Sequence, residues 1–372
     1  FCGHGSAGKT TLVDRLLVKS GAVSANPSVD GGTSICDFDP EEKGHQYSIE
    51  ASVVHLDHGG ARFNIVDTPG YPDFIGQTIG GLAGVDTAAV VINAQSGIEV
   101  NTRRVFNIAS EGGLGKFIII NKMDAENIDF DSVVDGIREL WGKRCILLNV
   151  PVGHGADFSG VIGALDNPAE TDGALADVAH IHEQLLEAII EVDEEVMERF
   201  FDGQQPTQGE LKTLIVRAVA EGSLVPIVCC SARTGVGLDE LLNALLLCGL
   251  SPADRSYTAS TGEKETEVTA DVGGPLVAQV FKTRIDPFVQ KLSFIRVFSG
   301  LLKKDQSVKI STARKPIKMA QLLTVQADQT EPVDSAGPGD IVAVAKMEDL
   351  ATSTSIGDPT YAEIQFPTPM VG

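Results

Sequence analysis

The first residues of the chain hold a glycine-rich pattern whose chemistry is the binding of phosphate groups. In such a loop backbone N–H groups surround an anion, and glycine lets the chain curl tightly around it. Lys9 can reach the β- and γ-phosphates of a nucleotide, and the Thr10 hydroxyl can bind Mg²⁺. The helix predicted from Thr10 and Thr11 onward points its positive end at the same phosphates. The pattern fits G-x-x-x-x-G-K-[ST] and consists of Gly3, His4, Gly5, Ser6, Ala7, Gly8, Lys9 and Thr10.

A second motif predicts the base of the nucleotide. Asn121, Lys122 and Asp124 fit N-K-x-D and follow an apolar run, residues 116–120, that is typical of a buried parallel strand. The carboxylate of Asp124 can accept two hydrogen bonds from guanine N1 and N2, a pair of donors that adenine lacks. A site that leaves a buried acceptor unpaired discriminates against the wrong base. Guanine is therefore the expected base.

Two further strand ends complete the set of motifs. Asp67 and Gly70 form D-x-x-G, in which Asp67 would hold Mg²⁺ through water and the Gly70 N–H would meet the γ-phosphate. Ser231 and Ala232 follow a later apolar strand and suit a loop that closes over guanine. The four motifs stand in the order found in GTPases. The alternatives are ordinary strand-end turns and a small-molecule kinase with a P-loop, which would leave N-K-x-D unexplained.

The elements that position these motifs alternate between strand-like and helix-like segments over residues 1–250. This alternation predicts an α/β fold with a doubly wound, mostly parallel sheet, and the four motifs make it a GTP-binding domain. Residues 151–225 or so form an inserted subdomain. Its apolar spacing predicts one continuous helix, with acidic residues on the opposite face that are either solvated or dock a basic partner. The apolar positions are Ile181, Leu185, Ile189, Val192, Val196 and Phe200.

The remainder of the chain has a different composition. Residues 251–267 are polar and are predicted to form a linker. Residues 268–365 contain short apolar runs separated by Gly, Pro and Asp turns, which predicts a small all-β barrel as a second domain. Residues 366–372 are expected to begin a further domain. Because the chain starts without Met and inside its first predicted strand, we expect it to be part of a longer protein.

The composition of the 372 residues limits the classes of partner. The formal net charge of −22 argues against general affinity for nucleic acid, which requires clustered Lys and Arg. Residues 273–372 are nearly balanced in charge, so a local nucleic-acid contact there stays open. No apolar stretch approaches the roughly 18 residues that span a membrane. The six cysteines show no metal-type spacing and predict reduced thiols in a cytoplasmic protein.

These motifs and their surroundings resemble the translation elongation factor G family, and in particular its divergent elongation factor G-like branch. The resemblance extends over essentially the whole chain. In the first domain it is carried by GHGSAGKTTL, DTPGYPDF, NKMD and the insertion before Ser231. In the second it is carried by FKTRIDPFVQKLSFIRVFSG and PGDIVAVAKMEDLATSTSIGD, a pattern typical of the translation-factor barrel. The closing FPTPMVG resembles the start of the family's third domain.

The resemblance implies a ribosome-linked translational GTPase of the elongation or translocation type, which hydrolyses GTP to GDP and phosphate with Mg²⁺ as cofactor. It implies that the GTP-binding domain faces large-subunit RNA and the stalk proteins, and that the barrel faces small-subunit RNA. It also implies a cytoplasmic protein that is a monomer off the ribosome, with slow turnover on its own. The γ-phosphate is expected to order two switch segments, residues 30–60 and 67–80.

Three positions depart from the family pattern. Where the family reads D-T-P-G-H, with a His that positions the attacking water, this chain has Tyr71. Tyr71 therefore joins Lys9 and Gly70 as a candidate catalytic residue. A phenol does not exchange protons near neutral pH as imidazole does, so about 10²–10⁴-fold in rate is at stake. Ser48 stands where the family's Mg²⁺-binding Thr belongs, and Ser6 replaces an Asp of the phosphate loop.

The sequence allows alternatives to these assignments. Tyr71 alternatively packs only against its own switch segment, and Ser48 is alternatively an exposed loop serine. A GTP-dependent ribosome-binding factor with little or no hydrolysis is a second function, because Tyr71 replaces the usual His. A structural fragment that binds no nucleotide is a third, although the presence of Lys9, Thr10 and Asp124 argues against it.

Overall fold

Five parallel strands form the centre of the first domain in the computed structural model, which describes residues 1–24, 26–166, 168–261, 264–286, 290–358 and 364–365. Their spatial order is β1-β4-β5-β9-β6. All seven residues of β5 are buried, which explains its continuous apolar sequence. Because the strands are parallel, their carboxyl ends meet at one edge. The strands are β1 (Cys2–Gly3), β4 (Thr87–Asn93), β5 (Gly115–Asn121), β6 (Cys145–Leu147) and β9 (Val225–Cys229).

Helices and an antiparallel hairpin surround this sheet. The hairpin pairs β2 (Ser52–His58) with β3 (Ala61–Asp67). Trp141 stacks on Phe106 with ring centroids 4.0 Å apart. Within the described part of the chain, no helix combines the length and apolar character needed to cross a bilayer. The helices outside the insertion are α1 (Lys9–Lys19), α2 (Pro40–His45), α3 (Ile75–Ala83), α4 (Val100–Glu111), α5 (Phe130–Trp141) and α9 (Leu238–Cys248).

In the insertion, the prediction of one continuous helix is wrong, because the segment forms two helices. The break follows Ile190, and Asp193 adopts an extended conformation at the N-terminus of the second helix. The Asp193 carboxylate accepts a hydrogen bond from the Val196 N–H at 3.1 Å. Capping by Asp thus interrupts a helix that apolar spacing alone would continue. The insertion contains β7 (Asn149–Val152), β8 (Gly160–Gly163), α6 (Val178–Ile190), α7 (Glu194–Phe201) and α8 (Gln208–Glu221).

The second domain is an antiparallel half-barrel. Its eight-stranded sheet has the order β16-β15-β21-β12-β13-β20-β17-β18, and two short strands, β14 and β19, pair separately. Apolar residues such as Ile295, Val297 and Val344 fill its interior. The strands are β12 (Val277–Asp286), β13 (Gln290–Ser299), β14 (Leu302–Lys303), β15 (Ser307–Ile310), β16 (Ile317–Lys318), β17 (Leu322–Gln326), β18 (Gln329–Val333), β19 (Ser335–Ala336), β20 (Ile341–Ala345) and β21 (Ser355–Gly357).

The segment 251–267, predicted as a polar linker, is largely regular structure. A short 3₁₀ turn is followed by β10 (Ser256–Thr261) and β11 (Lys264–Thr269), which pair as an antiparallel hairpin joined by β22 (Ile364–Gln365). Only one face of the hairpin is apolar, and Ala259 on it packs with Val268 and Phe298. The exposed face supplies the polar composition that suggested a linker. Residues 366–372, expected to begin a further domain, lie outside the described residues.

An apolar cluster joins the two domains. The β2–β3 hairpin contributes Ala51, Val53 and Val66 to it, and the Ala327 N–H donates a hydrogen bond to the Val53 carbonyl at 2.8 Å. The half-barrel therefore packs directly on the hairpin that leads from the first switch segment into the second. The cluster's residues from the half-barrel are Phe281, Leu292, Phe294, Val325, Ile341 and Ala343.

A buried ion pair fixes the same junction. Arg296 Nη2 lies 2.5 Å from Asp86 Oδ2, and both side chains are less than one tenth exposed. Arg296 also donates to the Gly339 carbonyl at 2.6 Å, and the Tyr257 hydroxyl donates to the other oxygen of Asp86. Asp86 follows α3, so the pair ties the end of the second switch region to the half-barrel.

Substitution Asp86→Ala should destabilise the protein strongly, because it leaves the buried Arg296 guanidinium without its carboxylate. Breaking a buried pair from one side costs about 3–5 kcal/mol. Urea denaturation followed by circular dichroism measures the change. The exposed pair of Lys304 and Asp334, 2.5 Å apart, provides the control, and Asp334→Ala should leave the transition where it was. Equal transitions for both variants would contradict the role given to Asp86.

Candidate nucleotide-binding site

A cavity of about 560 Å³ lies beside the carboxyl ends of β1, β5 and β9. Its walls combine the phosphate loop, both switch segments and the predicted base-binding motifs. A larger cleft of about 1070 Å³ at the domain junction contains none of the motif residues. The predicted residues that line the smaller cavity are Gly5, Ser6, Gly8, Lys9, Thr10, Thr11, Ser48, Gly70, Tyr71, Asn121, Lys122, Asp124 and Ala232.

Five predicted residues do not line the cavity and lie behind its wall. Gly3 pairs with Val91 in the sheet. The other four hold lining residues in place through hydrogen bonds described below. The five are Gly3, His4, Ala7, Asp67 and Ser231.

The phosphate loop is braced from the neighbouring strand. Gly8 is left-handed, with φ 86°, and immediately precedes α1. The Asn121 amide at the end of β5 donates to the Ala7 carbonyl at 3.0 Å. A Cβ at Gly8 would lie 2.6 Å from that amide nitrogen, so both the conformation and the space require glycine. The phosphate motif and the base motif are thus held together by a direct contact.

Lys9 is a buried cation at the head of this loop. It is 6% exposed, and its ammonium group donates to the His4 carbonyl at 2.9 Å. Burial lowers the pKa of Lys9, and the nearby charge of Asp67 opposes that effect. A phosphate group in the cavity would supply the anion that such a desolvated ammonium lacks.

The far end of the cavity carries the acceptors suited to guanine. Asp124 accepts hydrogen bonds from the Ser231 hydroxyl and from Arg233 Nε, each at 2.5 Å. The Ala232 N–H donates to Asn121 Oδ1 at 3.0 Å, which joins the loop after β9 to the loop after β5. The Arg233 side chain is 77% exposed and can leave Asp124 when a base arrives.

Four oxygen-bearing side chains converge below the phosphate loop. The Thr10 hydroxyl donates to Asp67 Oδ2 at 2.7 Å and lies 2.9 Å from the Ser48 hydroxyl. The Ser48 hydroxyl in turn lies 2.7 Å from Asp37 Oδ1. The three predicted metal-site residues are therefore brought together, and Asp37 joins them.

In this cluster the two hydroxyls are the donors and the two carboxylates are the acceptors. The Thr10 hydroxyl donates to Asp67, and the Ser48 hydroxyl donates to Asp37. Burial, together with the charge of Asp67, raises the pKa of Asp37 to about 7. Burial also raises the pKa of Asp67.

The same cluster fits a hard divalent cation. Asp37 Oδ2 and Asp67 Oδ1 are buried and have no hydrogen-bond partner among the described residues. Carboxylate and hydroxyl oxygens are the donors that Mg²⁺ prefers, and a cation would offset the two buried carboxylates. The residues present therefore fit Mg²⁺.

The first switch segment is held by a buried carboxylate. Glu42 is 2% exposed and accepts hydrogen bonds from the backbone N–H groups of Ile49 at 2.9 Å and Glu50 at 3.1 Å. These bonds fold the chain after α2 back toward the cavity and bring Ser48 under Thr10. Ser48 is only 9% exposed, so its alternative assignment as an exposed loop serine is wrong.

The second switch segment begins against the phosphate loop. A Cβ at Gly70 would lie 2.6 Å from both the Gly5 nitrogen and the His4 oxygen, so the chain requires glycine there. The Asn101 amide donates to the Gly70 carbonyl at 2.6 Å and holds it in place. Tyr71 is 36% exposed, and its ring centroid lies 4.8 Å from that of Tyr47 in the first switch segment. Tyr71 therefore packs beyond its own segment.

Among the lining residues that sequence reasoning did not assign to the site are Asp37, Tyr47 and Arg233. Tyr47 and Arg233 are direct neighbours of the predicted residues Ser48 and Ala232, and adjacency was the signal available for them. Asp37 lies eleven positions before Ser48, and only the path of the folded switch segment brings the two together.

Family models match both domains of this chain. Residues 1–249 match the elongation factor Tu GTP binding domain, and residues 275–359 match elongation factor G domain 2. The chain belongs to the elongation factor G family. Elongation factor G from Thermotoga neapolitana is 31% identical over 99% of this chain and 56% of its own length. An elongation factor G-like protein from Thermotoga maritima is 31% identical over 95% of this chain and 53% of its own length.

The chain thus spans about half the length of these elongation factor G relatives. The crystal structure of ttk003000868 from Thermus thermophilus has a TM-score of 0.84 and 28% identity, over 97% of this chain and 54% of that one. A parallel α/β GTP-binding domain followed by an antiparallel half-barrel is confirmed, as is the resemblance to the elongation factor G family.

Substitution Asp124→Asn should weaken GTP binding about 10- to 100-fold, because a charged acceptor of two guanine donors is lost and an amide N–H is placed against a guanine N–H. Xanthosine triphosphate should bind relatively better, because its carbonyl at position 2 accepts from the new amide. Equilibrium titration with fluorescent analogues measures both affinities.

Asp129→Asn is the matched control for this change. Asp129 caps α5 by accepting from the Ser132 N–H at 3.1 Å, and Asn caps a helix equally well. An Asp124→Asn protein with the GTP affinity of the control would show that Asp124 does not read the base.

Proposed function

We propose that this chain binds Mg·GTP and acts as a translational GTPase, hydrolysing GTP to GDP and phosphate in a ribosome-linked conformational switch. One observation carries the proposal. A single cavity brings together a phosphate loop, a carboxylate acceptor suited to guanine and two segments that both contact Thr10 below the phosphate site. The half-barrel packs against the hairpin that connects those segments.

The predicted site residues have the following roles in this proposal. Asn121, Lys122, Asp124, Ser231 and Ala232 hold the base, and residues Gly3 to Thr11 hold the phosphates. Lys9 and the Gly70 N–H face the γ-phosphate as candidate catalytic groups. Thr10 and Ser48 would ligate Mg²⁺ directly and Asp67 through water. When bound, the cation neutralises charge on the β- and γ-phosphate oxygens. Most of the rate acceleration would then come from positioning the γ-phosphate and stabilising the charge on its oxygens.

The contact between the switch segments and the half-barrel would transmit a change in the switches to the second domain. Lys282 of β12 donates to Glu50 of the first switch segment at 2.9 Å and to Gln77 of α3 at 3.0 Å. Its side chain is 5% exposed, and burial lowers the pKa of Lys282. Loss of either partner leaves a buried cation short of acceptors. Release of the switches after hydrolysis should therefore change how the half-barrel is held.

The ribosome is the proposed partner. Relatives that carry the name elongation factor G support this assignment, as does the match of residues 275–359 to domain 2 of that factor. In this proposal the GTP-binding domain faces large-subunit RNA and stalk proteins, and the half-barrel faces small-subunit RNA. We further propose a cytoplasmic protein that is a monomer off the ribosome and hydrolyses GTP slowly until the ribosome activates it.

A second candidate is a GTP-dependent ribosome-binding factor with little or no hydrolysis. The position of Tyr71 favours it. The ring stands beside the phosphate loop where the family places its water-positioning His, and it is engaged in packing with Tyr47. In this case the binding of GTP, without its hydrolysis, would switch the protein between its two states.

Turnover of GTP by the complete protein, with and without ribosomes, decides between the two. We expect ribosome-stimulated turnover, because phosphate positioning by Lys9 and Gly70 does not need an imidazole. Tyr71→His serves as the comparison and Lys9→Ala as the inactive control. Tight GTP binding without stimulated turnover, restored by Tyr71→His, would support the occupancy switch. Absence of any GTP binding would contradict both functions.

Substitution Lys282→Met should lower the affinity for a slowly hydrolysed GTP analogue about tenfold while leaving that for GDP within twofold. The physical reason is that the contacts of Lys282 with Glu50 and Gln77 favour the closed switch arrangement, which we assign to the GTP state. Fluorescence titrations of the two nucleotides give the ratio. Lys318→Met removes an exposed lysine of the same domain and should leave the ratio unchanged. Equal losses for both nucleotides would contradict the coupling.

A further inference from the structure

The ring of Tyr71 lies on a glycine of the phosphate loop. A Cβ at Gly5 would stand 3.2 to 3.4 Å from three carbon atoms of the ring, closer than ordinary van der Waals contact. Gly5 has no positive φ, so its backbone conformation does not demand glycine. The space occupied by the Tyr71 ring is therefore the structural reason for glycine at this position.

A second aromatic ring holds Tyr71 from the opposite segment. Tyr47 lies 4.8 Å from Tyr71 between ring centroids, with the ring planes at 58°. Tyr47 is itself packed against His45 at 5.4 Å and Phe74 at 6.3 Å. The two tyrosines thus join the first and second switch segments by an apolar contact in addition to the polar contacts beneath the loop. Offset aromatic pairs of this kind add stability beyond their buried area.

The location of the pair defines what it covers. Gly5, Tyr47 and Tyr71 all line the cavity, at the end that also contains Lys9, Thr10 and Gly70. Lys9 and Thr10 mark the position of the β- and γ-phosphates, and Asp124 marks the opposite end, where the base would lie. The two rings consequently stand over the γ-phosphate end of the cavity.

We propose that Gly5 is a positioning residue for Tyr71, and that Tyr71 and Tyr47 form an aromatic lid over the γ-phosphate end of the nucleotide pocket. This inference rests on the proposed binding of GTP but not on its hydrolysis. The lid belongs to the closed arrangement of both switch segments. A nucleotide with a γ-phosphate leaves only after the rings separate, whereas GDP, which lacks the group that orders the switches, leaves without that step.

The test is the dissociation rate of a fluorescent, slowly hydrolysed GTP analogue from the complete protein, with the GDP analogue measured in parallel. Gly5→Ala should speed release of the GTP analogue about threefold and Gly5→Val about tenfold, because the added carbons displace the Tyr71 ring in proportion to their size. Tyr71→Ala should speed it about tenfold, and release of the GDP analogue should change less than twofold in each case.

A double-substitution cycle separates ring packing from a general defect of the phosphate loop. In the Tyr71→Ala background, Gly5→Val has no ring to displace, so the double variant should release the GTP analogue within twofold of Tyr71→Ala alone. Tyr71→Phe keeps the ring and removes the hydroxyl, so its rate of release of the GTP analogue should lie closer to that of the unaltered protein than to that of Tyr71→Ala. A cooperative thermal unfolding transition for each variant verifies that the variant is folded.

The outcomes distinguish this inference from the proposed function. Two results would overturn the lid proposal. One is a double variant whose release rate is accelerated by the product of the two single effects of Gly5→Val and Tyr71→Ala. The other is equal acceleration of release for the GTP and GDP analogues. Release from Tyr71→Phe as fast as from Tyr71→Ala would overturn the role given to ring packing. If the unaltered protein bound GTP and responded to ribosomes while these variants failed the cycle, the proposed function would stand without the lid.

Discussion

Gly70 lies so close to the phosphate loop that a side chain there would overlap the backbone of Gly5 and His4. This contact sets the start of the second switch segment, which the Thr78 hydroxyl also holds through the Pro69 carbonyl at 3.1 Å. From there α3 carries Gln77 to Lys282 of the half-barrel. A displacement of about one ångström at Gly70 would therefore be transmitted by packed helix and strand to the second domain.

The first switch segment depends on the same loop through different chemistry. Polar contacts between Ser48 and Thr10 hold it from below, and aromatic contact between Tyr47 and Tyr71 holds it from above. The buried carboxylates of Asp37 and Asp67 oppose closure through their mutual repulsion unless a proton or a cation is present. Apolar packing thus favours the closed arrangement, and repulsion between the carboxylates opposes it. A magnesium nucleotide would reduce that repulsion and so favour closure.

Local chemistry explains which features the sequence could predict. Gly8, Lys9, Asn121 and Asp124 follow directly from strand ends, and the buried run of β5 from its apolar residues. Apolar spacing failed at Asp193, where a capping carboxylate divides one predicted helix into two. Composition failed at residues 251–267, because a hairpin with a single apolar face has a largely polar sequence. The pairing of Asp86 with Arg296 joins residues 210 positions apart, a separation that no local pattern encodes.

The apolar cluster between the domains also has a consequence for the order of synthesis. The β2–β3 hairpin ends at Asp67, and Phe281 of β12, the first cluster residue from the half-barrel, is made more than 200 residues later. At a synthesis rate of about 5–20 residues per second, the apolar face of the hairpin leaves the ribosome roughly 10 to 40 s before the half-barrel residues that pack on it. During that interval Val53 and Val66 are exposed on a nascent chain. The first domain completes its packing only after the second is made.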